Sequence, residues 1–135
     1  MARYFTPEEA NAALERVRPL AERMVAHRQR MLVAEARQEQ LGAHVAGNGG
    51  GIDPGEPASI DAELTREAGA VAECVDALAE LGVQVKDIDT GLLDFPTLRP
   101  SGEEALLCWH LGEDDIRYWH TLDGGFAGRR PLPVD

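Results

Sequence analysis

A single change of hydrophobic period, at Gly82, constrains this chain more than any other feature. Before it, apolar residues recur every three or four positions. Ala10, Leu14, Val17, Ala21, Met24 and Met31 mark one stripe, with Ala13, Leu20, His27, Ala34 and Leu41 beside it. That spacing describes helices with one buried face. After Gly82 the period becomes two. VQVKDI, LLDFP, ALLCWHL and IRYWHTL are short runs separated by turn residues, which is how antiparallel strands read. A chain that switches period once, helix first and strand second, belongs to the α+β class.

Local signals set the boundaries. At Thr6-Pro7-Glu8-Glu9 a capping threonine precedes a proline at the first helical position, and a glutamate is placed to close a capping box. Phe5 stands ready to staple that end. The stripe carries this helix to about residue 40, with Pro19 inside it removing one backbone hydrogen bond and bending it. Residues 42–57 combine glycines with two prolines and no apolar period, which predicts a flexible loop. A second helix is expected from near Ser59, with Ile60, Leu64, Val71, Val75, Leu78 and Leu81 on one face and Gly82 past its end. The expected architecture is a long antiparallel helical hairpin (6–82) and a four-stranded antiparallel meander (83–122) packed on it. A Gly/Arg segment (123–135) follows, and 135 residues suit one domain, 1–135.

Charge narrows the function classes. Twenty-four acidic residues against thirteen basic give −11, the wrong sign for nucleic acid or an anionic membrane as main partner. No apolar run reaches the roughly 20 residues of a membrane span. MARYFTPEEA has no apolar stretch of a signal peptide, and two cysteines make no disulfide framework. A cytoplasmic protein is expected.

The turns predict a register. Asp89-Thr90-Gly91 sets Lys86 opposite Asp94, a four-residue turn at 99–102 sets Asp94 opposite Leu107, and Glu113-Asp114 sets Leu107 opposite His120. Val83, Val85, Leu93, Phe95, Leu106, Cys108 and Trp119 then cover the hairpin. Lys86, Asp94, Trp109, Tyr118 and His120 line an open face, with Leu92 and Leu107 among them. A slip of one residue in any turn exchanges these sets.

YFTPEEANAAL, GVQVKDIDTGLLDFP and LLCWHLGEDDIRYWHTLDGGFAGRRPL, in that order, resemble the bacterial family known as domain of unknown function 2203. The likeness spans nearly all of the chain except the glycine-rich loop, and it implies no established activity. It does imply that Glu9, Asn11, Asp94, Cys108, Trp109, Gly112, Glu113, His120, Gly125, Phe126 and Arg129 match a recurring pattern. His110 departs from that pattern, which has a basic residue there.

Three function classes follow. In the first, the open face is a small metal- or ligand-binding site. His120 and Asp94 would hold a divalent transition-metal ion, and Glu9, Asn11, Trp109, Tyr118 and Arg129 would contact a ligand. A neutral imidazole and a carboxylate are ordinary ligands for such ions. In the predicted register these two side chains start nearly 10 Å apart, across two strand spacings of about 4.8 Å, too far for a direct hydrogen bond but within reach of a shared ion or small ligand. His120 would then be peripheral to the core. In the second class the acidic hairpin is an interaction module, or the contact of a homo-oligomer. The third is an enzyme with His120 as general base and Asp94 or Glu9 as second carboxylate. No G-x-S-x-G, H-E-x-x-H, C-x-x-C or Rossmann fingerprint supports that reading. Cys108 and His110, two apart on a strand, form a weaker chelating pair. Arg129 and Phe126 are expected to tie the C-terminal segment back against the sheet or the helices.

Overall fold

A computed structural model describes residues 3–47 and 53–135. Two helices, α1 (Pro7–Ala46) and α2 (Glu56–Glu80), precede five strands: β1 (Gln84–Asp87), β2 (Leu92–Leu98), β3 (Glu104–His110), β4 (Tyr118–Thr121) and β5 (Arg130–Pro131). The strands lie in sequence order in one sheet, every neighbour antiparallel. The helical hairpin and the meander are as expected, but the sheet has five strands rather than four. The additional strand comes from the Gly/Arg segment, where Arg130 pairs with Trp119 and Pro131 with Tyr118.

Both helices reach further into the expected 42–57 loop than its composition indicates. Residues 42–46 continue α1, and α2 begins at Glu56, with Pro57 in the first turn, where a missing N–H costs nothing. Of the rest of that loop, 48–52 lie outside the described residues. The capping box forms at the start of α1. Glu9 N–H donates to Thr6 Oγ1 (3.1 Å), and Thr6 N–H donates to Glu9 Oε1 (2.9 Å). At the end of α2, Gly82 takes φ 89°. Its N–H bonds to the Ala79 carbonyl (2.9 Å) and that of Val83 to Leu78 (3.0 Å), so the chain leaves the helix with its last carbonyls satisfied.

The core lies between the hairpin and one face of the sheet. Ala10, Leu14, Val17, Ala21 and Met24 come from α1, and Val71, Cys74 and Leu78 from α2. Leu93, Phe95, Ala105, Leu107, Trp109 and Trp119 come from the strands. Phe5 closes one end, edge-on to Phe95 with ring centroids 5.3 Å apart. Farther out, the helices meet through polar pairs: His27 Nδ1 with Glu67 Oε2 (2.5 Å), Gln38 with Asp61 (2.8 Å) and Arg37 with Glu63 (3.3 Å). His27 on the flanking stripe is therefore structural.

The observed register corrects the expected one, and the connections explain why. Between β2 and β3 the turn has one more residue than predicted. Gly102, at φ 91°, follows a turn closed by its own N–H to the Arg99 carbonyl (2.8 Å), so Leu98 pairs with Glu104 and Asp94 with Cys108, not Leu107. Between β3 and β4 the chain is not a tight turn but a loop held from outside. Arg18 donates to the Glu113 and Asp114 carbonyls, and the Ile116 N–H donates to Asn11 Oδ1 (2.7 Å). Leu107 accordingly pairs with Trp119, and His120 with Leu106. The two slips run in opposite senses. β2 and β4 therefore keep the faces expected of them, and β3 alone turns over. Trp109 and Leu107 enter the core, while Cys108 and Leu106 go to the other face. On β1 the connection is one residue longer than expected, so Asp87 pairs with Leu92, and a bulge between Val85 and Asp87 adds a second shift that sets Gln84, not Lys86, opposite Asp94. Lys86, expected opposite Asp94, is thus not its neighbour across the strands.

Candidate metal centre

On the sheet face away from the hairpin, three adjacent strands each contribute one chemical donor. Asp94 on β2 pairs with Cys108 on β3, and Cys108 pairs with Tyr118 on β4. His120 is two residues beyond Tyr118, so strand alternation returns it to the same face. The small cysteine on the middle strand leaves room for the longer side chains on either side to meet above it. His120 Nε2 stands 3.1 Å from both carboxylate oxygens of Asp94. This corrects the separation of nearly 10 Å, which was reckoned at the backbone with a leucine between them. One donor atom from each of Asp94, Cys108 and His120 lies within 4.8 Å of the others.

The expected open face is covered. Asp94 and His120 are each 2% exposed and Cys108 is fully buried, so His120 is not peripheral. Gly124 packs on the ring's stem: a Cβ there would lie 3.0 Å from Thr121 Oγ1 and 3.6 Å from His120 Cβ. Arg129 lies over the Tyr118 ring, 4.2 Å from its centroid, and donates to the Cys108 carbonyl (3.2 Å) and to Glu113 (2.7 and 3.0 Å). The C-terminal segment is therefore tied to the sheet, as its arginines predicted. Leu132 N–H adds a bond to the Arg117 carbonyl (2.9 Å).

Donor counting defines the chemistry. His120 Nδ1 lies 2.7 Å from the Thr121 carbonyl, which only accepts, so Nδ1 carries a hydrogen. In the neutral ring the bare Nε2 then points at a carboxylate, acceptor against acceptor. A proton on Nε2 or a cation shared by ring and carboxylate resolves that conflict. Burial, then the negative charge of Asp94, pushes the Cys108 thiol up to about 12. Without a cation it is a neutral S–H beside the carboxylate. A transition-metal ion would reverse this, because metal-bound thiols lose their proton.

Of the residues expected to contact a ligand, the structure brings Tyr118 and Arg129 to this face and places the other three elsewhere. Glu9 closes the capping box. Asn11 holds Ile116 through both ends of its amide, which fixes the β3–β4 loop. Trp109 is buried in the core, its indole N–H bonded to the Glu113 carbonyl (3.0 Å). Glu9 and Asn11 are elsewhere because α1 packs on the opposite face of the sheet from His120, and Trp109 because β3 is turned over. Cys108 was assigned to the core, and its role at the site follows from the inverted middle strand. The motif resemblance, which includes Cys108, was the signal that could have placed it. His110 shares a face with Cys108 but does not join it; Cys108 meets Asp94 and His120 instead.

The family model described as "Uncharacterized conserved protein (DUF2203)" matches residues 3–132, and the chain belongs to that family. No curated protein and no solved structure matches it. No helix among the described residues is long and apolar enough to cross a membrane.

Proposed function

We propose that this member of the domain of unknown function 2203 family binds a divalent transition-metal ion through Asp94, Cys108 and His120. The observation that carries the reading is the convergence of three buried donors, one oxygen, one sulfur and one nitrogen, from three adjacent strands. A set of this kind fits zinc-like ions. Thiolate and imidazole select against magnesium and calcium, which prefer all-oxygen sites. The Thr121 carbonyl supports the reading as well, since it fixes the tautomer that leaves Nε2 free to coordinate. Tetrahedral bonds of about 2.0–2.3 Å set donors roughly 3.5 Å apart, so the Asp94–His120 spacing fits and the thiol would be drawn inward. Three protein ligands leave one position for water or a small ligand. Burial of all three favours an ion that cross-links β2, β3 and β4 over one that turns over substrate in bulk water.

Titration of the metal-free protein with Co²⁺ tests this directly. A saturable thiolate-to-metal charge-transfer band, absent in Cys108→Ser, is the expected result. No saturable binding of Co²⁺ or Zn²⁺, or an unchanged band in the variant, overturns it.

A further inference from the structure

A second site lies one strand pair along the same face. Asp87, Leu92 and His110 form a row across β1, β2 and β3. Together with Thr90, Leu111 and Phe126 they line a cavity of about 460 Å³, within the range of small-molecule pockets. Its walls are apolar, and Phe126 leaves half of its surface exposed beside it. From this geometry we infer that the pocket binds a small primary amine with an apolar body.

The polar groups of the pocket decide the class. His110 Nδ1 is 2.9 Å from the Leu111 carbonyl and so bears the hydrogen, which makes Nε2 an acceptor in the neutral ring. The Thr90 hydroxyl donates to Asp87 Oδ2 (3.1 Å) and has only lone pairs left to offer. The Asp87 carboxylate accepts from the Thr90 hydroxyl and the Asp89 N–H and keeps further lone pairs. All three polar groups therefore accept. An ammonium group supplies three donors and no acceptor, and its positive charge meets Asp87. One cation touches the pocket wall, Arg129 at 4.8 Å from the Phe126 centroid, and Glu113 offsets its charge. Glu113, with one oxygen 3.9 Å from His110 Nε2, is paired with Arg129, and Asp89 is paired with Arg28. Phe126 and Leu92 would take an aromatic or aliphatic body. A carboxylate or a zwitterionic amino acid would bring acceptors to a rim that already lacks donors. The inference does not depend on a bound metal.

Phenethylamine is the probe, titrated into metal-free, isotopically labelled full-length protein and followed by amide chemical shifts. Saturable shifts at residues 87–92, 110–111 and 126 are expected, with a Kd on the order of 1 mM for so small a ligand. Asp87→Asn should weaken binding about tenfold or more through loss of the charged acceptor. Phe126→Ala should weaken it too, and this exposed position gives a second variant if the turn at Asp87 does not tolerate change. Phenylpropionate should not bind. Absence of saturation, shifts centred elsewhere, equal binding of phenylpropionate, or full affinity in both variants would each overturn the inference.

Discussion

Two patches on opposite faces of the sheet are buried to a similar degree by different means. Against the hairpin, Phe95, Leu107, Trp109 and Trp119 meet apolar side chains of α1 and α2. On the other face, Asp94, Cys108 and His120 lie under a short segment anchored by Arg129. The first face is held by non-directional burial that tolerates changes of pH and ions. On the second, buried polar groups depend on partners, as His120 does on Asp94 and the Thr121 carbonyl, so substituting one of them also changes charge or hydrogen bonding. Burial alone therefore does not separate core from site; the chemistry of what is buried does.

The largest effect should come from the apolar face. Trp109→Ala should destabilise the protein by about 3–5 kcal/mol, as truncation of a buried aromatic does, equally with and without Zn²⁺. Denaturant unfolding at two metal concentrations measures this, and a loss of less than about 1 kcal/mol would return Trp109 to the face on which the turns alone placed it. Asp94→Ala comes next. Leaving the buried His120 ring without its partner costs about 1–3 kcal/mol, and here the added Zn²⁺ that stabilises the parent protein should no longer help. If Zn²⁺ stabilised Asp94→Ala as strongly as the parent, the two faces would not differ in the way described.

A pH experiment sharpens the contrast further. The Cys108 thiol is raised from 9.0 to about 12 in the fold. A raised pKa means that the folded state holds the proton more tightly than the unfolded chain. The resulting stability is complete below about pH 9 and is lost as pH rises towards 12. Metal-free protein should thus lose alkaline stability through this window, and Cys108→Ala should lose less of it. Parallel profiles would count against a buried thiol beside Asp94. Below that window Zn²⁺ has to displace the same proton, so its affinity should rise with pH. The smallest effect belongs to Glu9→Ala, about 1 kcal/mol from the lost capping box, with Zn²⁺ affinity unchanged. A weakened affinity would bring Glu9 back to the site.

These experiments rest on a register that the sequence conveys only in part. The helices, their caps and the change of period at Gly82 are local features, set by residues a few positions apart, and they read directly. The faces of β2 and β4 also read correctly, because alternation within a strand is local. The orientation of β3 is not local. Glu103 joins the turn as a fifth residue, and Asn11 and Arg18, about a hundred positions away in the chain, hold the loop at the other end. No pattern inside ALLCWHL records those partners. His120 and Asp94 are therefore legible as one site, while Cys108 reads as a core residue or a partner of His110 rather than as the donor between them.

The length of the hairpin has a consequence for how the molecule comes apart. α1 is 40 residues long, about 60 Å at 1.5 Å per residue, whereas the longest strands have seven residues and span about 23 Å. The fully buried core ends at Met24 on α1 and begins at Val71 on α2. Beyond it, Ala34 and Ile60 are buried, and the remaining helix pairing is largely polar. Such a tip has too little apolar contact to share the cooperativity of the sheet-backed half. It should open as a unit of its own, its amides exchanging with solvent long before those of β2 and β3, so that one continuous helix behaves as two segments on the hydrogen-exchange timescale.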